Sequence, residues 1–266
     1  MHRLEPIRNL IIDMDGVLYL GDTPMPGLEA FFSFLAERGI RFQLVTNNST
    51  LTPCMYTQKM ARMGVTVRED QVLTSSIATA DYLARRYPQE SKVYAIGEEG
   101  LMDALQAAGF VLSRIDPVAV VVGFDRDITY AKLRQATLLI RAGTPFVATN
   151  PDRTLPMPEG QVPGTGTILM AIAAATDQEP LVIGKPEPLL MEQAMIRMGA
   201  SPDTTAAIGD RPETDILSAQ RAGILSVLTL AGATDRARLA TFDIKPDIVF
   251  DDIQALVAGW TRILGE

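Results

Sequence analysis

A single cysteine in 266 residues, Cys54, excludes an intrachain disulfide, so the fold owes nothing to an oxidising compartment. A single histidine, His2, excludes a metal site built from several imidazoles, and its place in a terminal segment argues against a catalytic role. Basic residues are in deficit: 24 Lys and Arg stand against 32 Asp and Glu, a net charge of −8. No overall field therefore steers the protein to nucleic acid or to an anionic membrane. Long hydrophobic runs are missing too. The longest, residues 168–175, is far short of the ~18 residues that a spanning helix needs. The N-terminal apolar run stops at Asp13 without a small-residue cleavage site, so no secretory signal is expected. There is no internal repeat, heptad run or low-complexity tract. These absences predict a cytoplasmic protein with neither nucleic acid nor membrane among its partners.

What the chain does have is material for a core. Hydrophobic residues make up 47% and charged ones only 21%, which excludes wholesale disorder. The length suits one large domain or two smaller ones. Short β-branched runs alternate with helical patterns. LIID (10–13), FQLVT (42–46), VYAIG (93–97), VAVVVGF (118–124), FVATN (146–150), LVIG (181–184), AAIGD (206–210), LSVLTL (225–230) and DIVF (247–250) read as strands. Residues 27–39 and 53–64 read as helices, each closed by glycine, and residues 74–88 and 130–142 as two more. Continuous apolar strands separated by helices predict an α/β fold with a parallel sheet covered on both faces. Residues 150–166, rich in Pro and Gly, are expected to be the longest irregular segment.

In such a sheet, ligands bind beyond the carboxyl ends of the strands. The first expected strand ends in Asp13, with Asp15 and Gly16 beyond it; the second ends in Thr46, Asn47 and Asn48. The strand from Leu181 runs into Lys185, and the strand from Ala206 ends in Asp210, with Asp215 five residues on. Four carboxylates on one rim repel one another and raise each other's pKa values. A hard divalent cation with oxygen ligands, Mg²⁺, would relieve that and would bring a substrate phosphate into its shell. Lys185 and Thr46, with backbone N–H groups around Gly16 and Asn47, could hold the remaining phosphate oxygens. Each feature also has a structural reading: DxDG as a turn, TNN as a helix cap, GKP as a strand-end turn, GD and TD as a turn and an N-cap. All four would have to coincide, in order, at four strand ends.

With IIDMDGVL, LVTNNST, GKPEP and IGDRPETDI in that order, the sequence resembles the haloacid dehalogenase (HAD) superfamily of phosphohydrolases. Within it, VVVGFDRDITY, ATNPDRTLP and PGTG favour the branch with a large cap between the second and third motifs, which holds p-nitrophenyl phosphatase-like and phosphoglycolate phosphatase-like enzymes. The resemblance implies a HAD-like Rossmannoid core, discontinuous over residues 1–78 and 184–266, and an inserted α/β cap over residues 79–183 that selects the substrate. It implies Asp13 as nucleophile, forming an aspartyl-phosphate, and Asp15 as general acid and then base. Asp13, the Asp15 carbonyl and Asp210 would hold Mg²⁺, with Asp215 behind them or bound through water. Thr46, Asn47 and Lys185 would bind the phosphoryl group. The presence of Asp15 argues against a dehalogenase. The implied function is a Mg²⁺-dependent phosphatase acting on a small phosphorylated metabolite. The alternatives are a phosphotransferase or mutase on the same residues, or a non-catalytic phosphate-binding regulator. The resemblance allows a homodimer, which the sequence itself does not show. Cys54 has no partner that would support catalysis, and Trp260 is expected to pack the last helix. Asp125 and Arg126 end an expected strand and either face the site or lie in a solvated loop.

Overall fold

The apolar runs fold as strands and the stretches between them as helices in a computed structural model that describes residues 2–157 and 160–263. In chain order, β1 (Asn9–Asp13) leads into a short hairpin of β2 (Tyr19–Leu20) and β3 (Thr23–Pro24), followed by α1 (Leu28–Glu37), β4 (Arg41–Thr46), α2 (Pro53–Arg62) and β5 (Val72–Thr74). Next come α3 (Ser75–Ala84), β6 (Lys92–Ile96), α4 (Glu99–Ala107), β7 (Val111–Leu112), β8 (Ala119–Val122) and α5 (Tyr130–Arg141). After these lie β9 (Phe146–Ala148), β10 (Thr154–Met157), β11 (Gly160–Pro163), α6 (Thr165–Thr176) and β12 (Leu181–Val182). The last elements are α7 (Leu189–Met198), β13 (Thr205–Gly209), α8 (Leu217–Arg221), β14 (Leu225–Thr229), α9 (Arg236–Ala240), β15 (Ile248–Phe250) and α10 (Ile253–Ile263).

These elements sort into two compact units. The first comprises the chain up to Thr46, Pro53–Leu73 and everything from Lys185 on. Its six-stranded sheet runs β15-β14-β13-β1-β4-β5. The pairings of β1 with β13 and β4, of β13 with β14, and of β14 with β15 are all parallel. Asn9 stands opposite Thr205 on one side and Arg41 on the other, which fixes the register at the centre. Every residue of β1, β13 and β14 is buried, as expected of parallel strands covered on both faces. Trp260 of α10 is fully buried, its ring 5.7 Å from that of Phe34 on α1.

The second unit comprises Asn47–Thr52 and Thr74–Gly184. Its first helix is α3, one continuous helix whose Ser75 and Ser76 hydroxyls donate to the carbonyls of Asn47 and Ser49. Its five-stranded sheet, β12-β9-β8-β6-β7, is parallel throughout. Ile96, Val120, Val122 and Phe146 from the strands pack with Ala136 and Ile140 of α5 and Ile168, Leu169 and Ile172 of α6. The segment expected to be irregular is partly ordered: β10 and β11 form an antiparallel pair, Thr154 opposite Pro163 and Leu155 opposite Val162. Their prolines hid the strands from a pattern reading, because proline is excluded from central strands but tolerated on a two-stranded ribbon. No helix among the described residues is long and apolar enough to cross a membrane.

Candidate active site

Parallel pairing brings the ends of β1, β4, β13 and β14 to one rim of the first unit's sheet. Asp13 is the last residue of β1, and Asp210 directly follows β13. Asp215 lies on a π-helical turn, Pro212–Ile216, that runs into α8. All three carboxylates are buried, as is Lys185. The Lys185 ammonium donates to Asp13 Oδ1 and to Asp215 Oδ1, each at 2.5 Å. One oxygen from each of Asp13, Asp210 and Asp215 lies within 4.8 Å of the others. Three carboxylates and one ammonium leave this buried cluster two negative charges in excess.

That excess governs the titration of the site. Burial pushes the Asp13 carboxyl well above its ordinary range; Lys185 opposes this, and Asp215 and Asp210 reinforce it. Burial, then the Asp215 charge, pushes Asp210 up to about 6, against the hydrogen bond from the Ala233 N–H at 2.6 Å. Lys185 loses hydration on burial, but Asp13 and Asp215 more than offset this and hold it protonated far above neutrality. Two glycines let the backbone close around Asp210. Gly16 sits at φ +86°, and a Cβ on either Gly16 or Gly232 would collide with the Asp210 carboxylate. Arg211 N–H donates to Asp215 Oδ2 at 3.1 Å. The donor set is all oxygen, crowded, buried and short of positive charge, so these residues fit a hard divalent cation.

Asp15 is exposed, yet the surrounding protein still desolvates its carboxyl enough to raise its pKa, while Lys59, Arg211 and Lys185 pull it back down. Its loop is tied to the hairpin that follows: Asp15 bridges to Tyr19, and the Gly16 N–H donates to the Tyr19 carbonyl at 2.8 Å. Thr46 is buried at the end of β4, beside the Tyr56 side chain. Asn47 belongs to the second unit, where its amide donates to the Asp152 carboxylate at 3.2 and 3.3 Å. The first unit thus gathers Asp13, Asp15, Thr46, Lys185, Asp210 and Asp215.

The sequence reading missed the loop after β14, whose Gly232 and Ala233 hold Asp210. The strand-end rule, applied to β14 as it was to β13, would have found them. It also missed Tyr19, Tyr56 and Lys59. Tyr19 and Tyr56 are buried phenols whose pKa values are raised, first by burial and next by the Asp15 charge. Lys59 Nζ lies 3.9 Å from the centre of the Tyr19 ring. Asp125 is buried in an ion pair with Lys132 at 2.7 Å, so a solvated loop does not describe it. Arg126 pairs with Glu98. Cys54 is exposed and free.

Known proteins resemble this chain over nearly its whole length. Residues 10–111 match the haloacid dehalogenase-like hydrolase family model, and residues 182–256 match a HAD-hydrolase-like model. An acid sugar phosphatase of Staphylococcus aureus (strain USA300) is 36% identical over 249 residues, covering 93% of this chain and 96% of that protein. The crystal structure of a 4-nitrophenylphosphatase from Thermotoga maritima superposes with a TM-score of 0.93 at 38% identity, covering 97% of this chain and 99% of the other. A p-nitrophenyl phosphatase from Archaeoglobus fulgidus superposes with a TM-score of 0.91 at 33% identity, over 95% and 99% of the two chains. With the four motif segments meeting at one end of a parallel sheet, and with likeness over nearly its whole length, the chain belongs to the haloacid dehalogenase-like hydrolase family.

Proposed function

We propose that the protein is a Mg²⁺-dependent phosphatase of the cytoplasm that hydrolyses small phosphomonoesters through a phosphorylated Asp13. The observation that carries this reading is the Lys185 ammonium donating to both Asp13 and Asp215, with an Asp210 carboxylate oxygen within 4.8 Å of an oxygen of each. A carboxylate oxygen of Asp13 attacks phosphorus as the bond to the leaving oxygen breaks, and the Asp15 carboxyl gives that oxygen its proton. Asp15, now ionised, takes a proton from water. The water oxygen attacks phosphorus, the Asp13–phosphorus bond breaks, and inorganic phosphate departs. Asp13, Asp210 and the Asp15 carbonyl would hold Mg²⁺, with Asp215 supporting them. When bound, the ion supplies positive charge against the phosphoryl oxygens. Lys185 and Thr46 bind the same oxygens, and the Lys185 charge favours the ionised form of Asp13 against the effect of its burial. Such transfer is chiefly positioning and charge stabilisation.

The relatives' names, acid sugar phosphatase and p-nitrophenyl phosphatase, support a small phosphorylated metabolite as substrate. We assign its selection to the inserted segment, about residues 79–183, since the reacting groups all come from the first unit. The test is rapid-quench kinetics with p-nitrophenyl phosphate. Asp13→Asn should give neither product nor trapped phosphoprotein. Asp15→Ala should release about one nitrophenolate per site in a burst and then turn over slowly, because its water lacks a base. Chelation should abolish turnover and Mg²⁺ should restore it. A burst from Asp13→Asn, or full turnover after exhaustive chelation, would refute the reading. Transfer to an added alcohol in preference to water would make the protein a phosphotransferase.

A further inference from the structure

Lys59 lies on α2, its side chain only 15% exposed. A shielded ammonium needs compensation. Its one ion pair among the described residues is long, 3.8 Å to Asp22, whose side chain is 95% exposed and solvated. The closer partner is the Tyr19 ring, with the ammonium 3.9 Å from its centre. A cation on an aromatic face is most effective where both are shielded from water, and Tyr19 is fully buried. The Tyr19 hydroxyl has no hydrogen-bond partner among the described residues, so the ring face is what the contact uses. Tyr19 is tied to the residues on either side of Asp15: its N–H donates to the Met14 carbonyl at 3.4 Å, and its carbonyl accepts from the Gly16 N–H at 2.8 Å. Tyr19 belongs to β2, opposite Pro24, and Asp22 to the turn that joins β2 to β3, so Lys59 contacts both a strand and the turn of the hairpin.

We propose that Lys59 is a positioning residue for Asp15: seated on Tyr19 and beside Asp22, it fixes the hairpin on α2 and thereby presents the Asp15 carboxyl to the leaving oxygen. This inference rests on Asp15 being the proton donor, and the test separates the two claims.

The experiment compares kcat/KM, which reports the steps up to departure of the leaving group, for p-nitrophenyl phosphate and phenyl phosphate. The two esters are alike in shape, but the nitrophenolate leaves with little help from a proton. Asp15→Asn is the control and should lose far more on phenyl phosphate. Lys59→Met should lose about 10-fold on phenyl phosphate, inside the ~10²–10⁴-fold range of a whole general acid, and under about 2-fold on p-nitrophenyl phosphate. Lys59→Arg, which keeps a cation that stacks on aromatic rings and pairs with carboxylates, should restore the wild-type ratio. Tyr19→Leu should resemble Lys59→Met, and the double variant should be no worse than either, because one chain of contacts is being broken. Circular dichroism checks that each variant folds, and the Met and Arg pair decides the matter if Tyr19→Leu does not. Equal losses on the two esters, no loss, or failure of Arg to restore the ratio would overturn the role of Lys59. Absence of discrimination in Asp15→Asn would instead overturn the assignment of Asp15, and the positioning role with it.

Discussion

Replacing Asp210 by Asn should stabilise the metal-free protein at neutral pH while destroying its activity. Asp210 is one of three buried carboxylates that share a single ammonium, and its pKa is raised from 3.8 to about 6. A carboxyl whose folded pKa lies above its unfolded value favours the folded state while it is protonated. That contribution is complete below about pH 4 and is lost as pH rises through about 6. The rise corresponds to about 3 kcal/mol of stability lost from the wild type by pH 8. Asparagine mimics the protonated acid in shape, never ionises, and still offers an oxygen to the Ala233 N–H. The variant should therefore match the wild type near pH 4 and exceed it by about 3 kcal/mol at pH 8. The assay is urea unfolding in the presence of a chelator, followed by tryptophan fluorescence. The single tryptophan, Trp260, is buried in the same unit as the site, so it reports on the right part of the molecule. With ~1–3 kcal/mol per molar urea, the midpoint should move by about 1 M or more. Adding Mg²⁺ should raise the wild-type midpoint and leave that of the variant nearly unchanged. Equal midpoints at pH 8 without metal would refute the claim that uncompensated negative charge strains this site.

The opposite substitution of charge should have the opposite sign. Lys185→Met leaves Asp13 and Asp215 buried without their common partner and should cost about 3–5 kcal/mol near pH 7, less in acid, read from the same urea curves. Gly16→Ala should cost about 1–3 kcal/mol from its left-handed backbone alone, and should also lower kcat by displacing the Asp210 carboxylate that its Cβ would meet; an active, fully stable variant would contradict the close approach.

The site was legible because the chemistry requires particular residue types at strand ends, and the central strands are continuous apolar runs whose ends are easy to place. Asp13, Thr46 and Asp210 each stand at the end of such a run, whereas Lys185 follows β12, a two-residue edge strand of the other sheet, where the Gly-Lys-Pro sequence alone marked it. The features that escaped are those whose signal is not periodic. β2, β3 and β7 are two residues each, too short for any alternation to register. The β10–β11 pair carries prolines that speak against strands. Lys59 reads as an ordinary basic residue near the end of a helix, and only the packing of Tyr19 beneath it gives it a role. Ala233 contributes a backbone N–H, which leaves no mark on residue identity at all.

The way the second unit closes on itself bears on how the first one can fold. Its first residue, Asn47, accepts a hydrogen bond on its carbonyl from the Asn150 amide at 2.9 Å, while its last, Gly184, donates to the Thr149 carbonyl, also at 2.9 Å. Two consecutive residues thus hold the point where the chain first enters the unit and the point where it finally leaves it, although Pro53–Leu73 in between belongs to the first unit. In polymer terms, with the Ser75 hydroxyl also on the Asn47 carbonyl, a tether of ~110 residues between Leu73 and Lys185 is shortened to a link of a few residues once the insert is folded, which removes about 3 kcal/mol of loop-closure entropy from the joining of β1 to β13. The two halves of the catalytic sheet are then neighbours before they pair. An insert of almost any size could occupy this position at the same entropic cost, provided its two ends met, and loosening Asn150 should slow the return of Trp260 fluorescence during refolding although the two residues lie in different units.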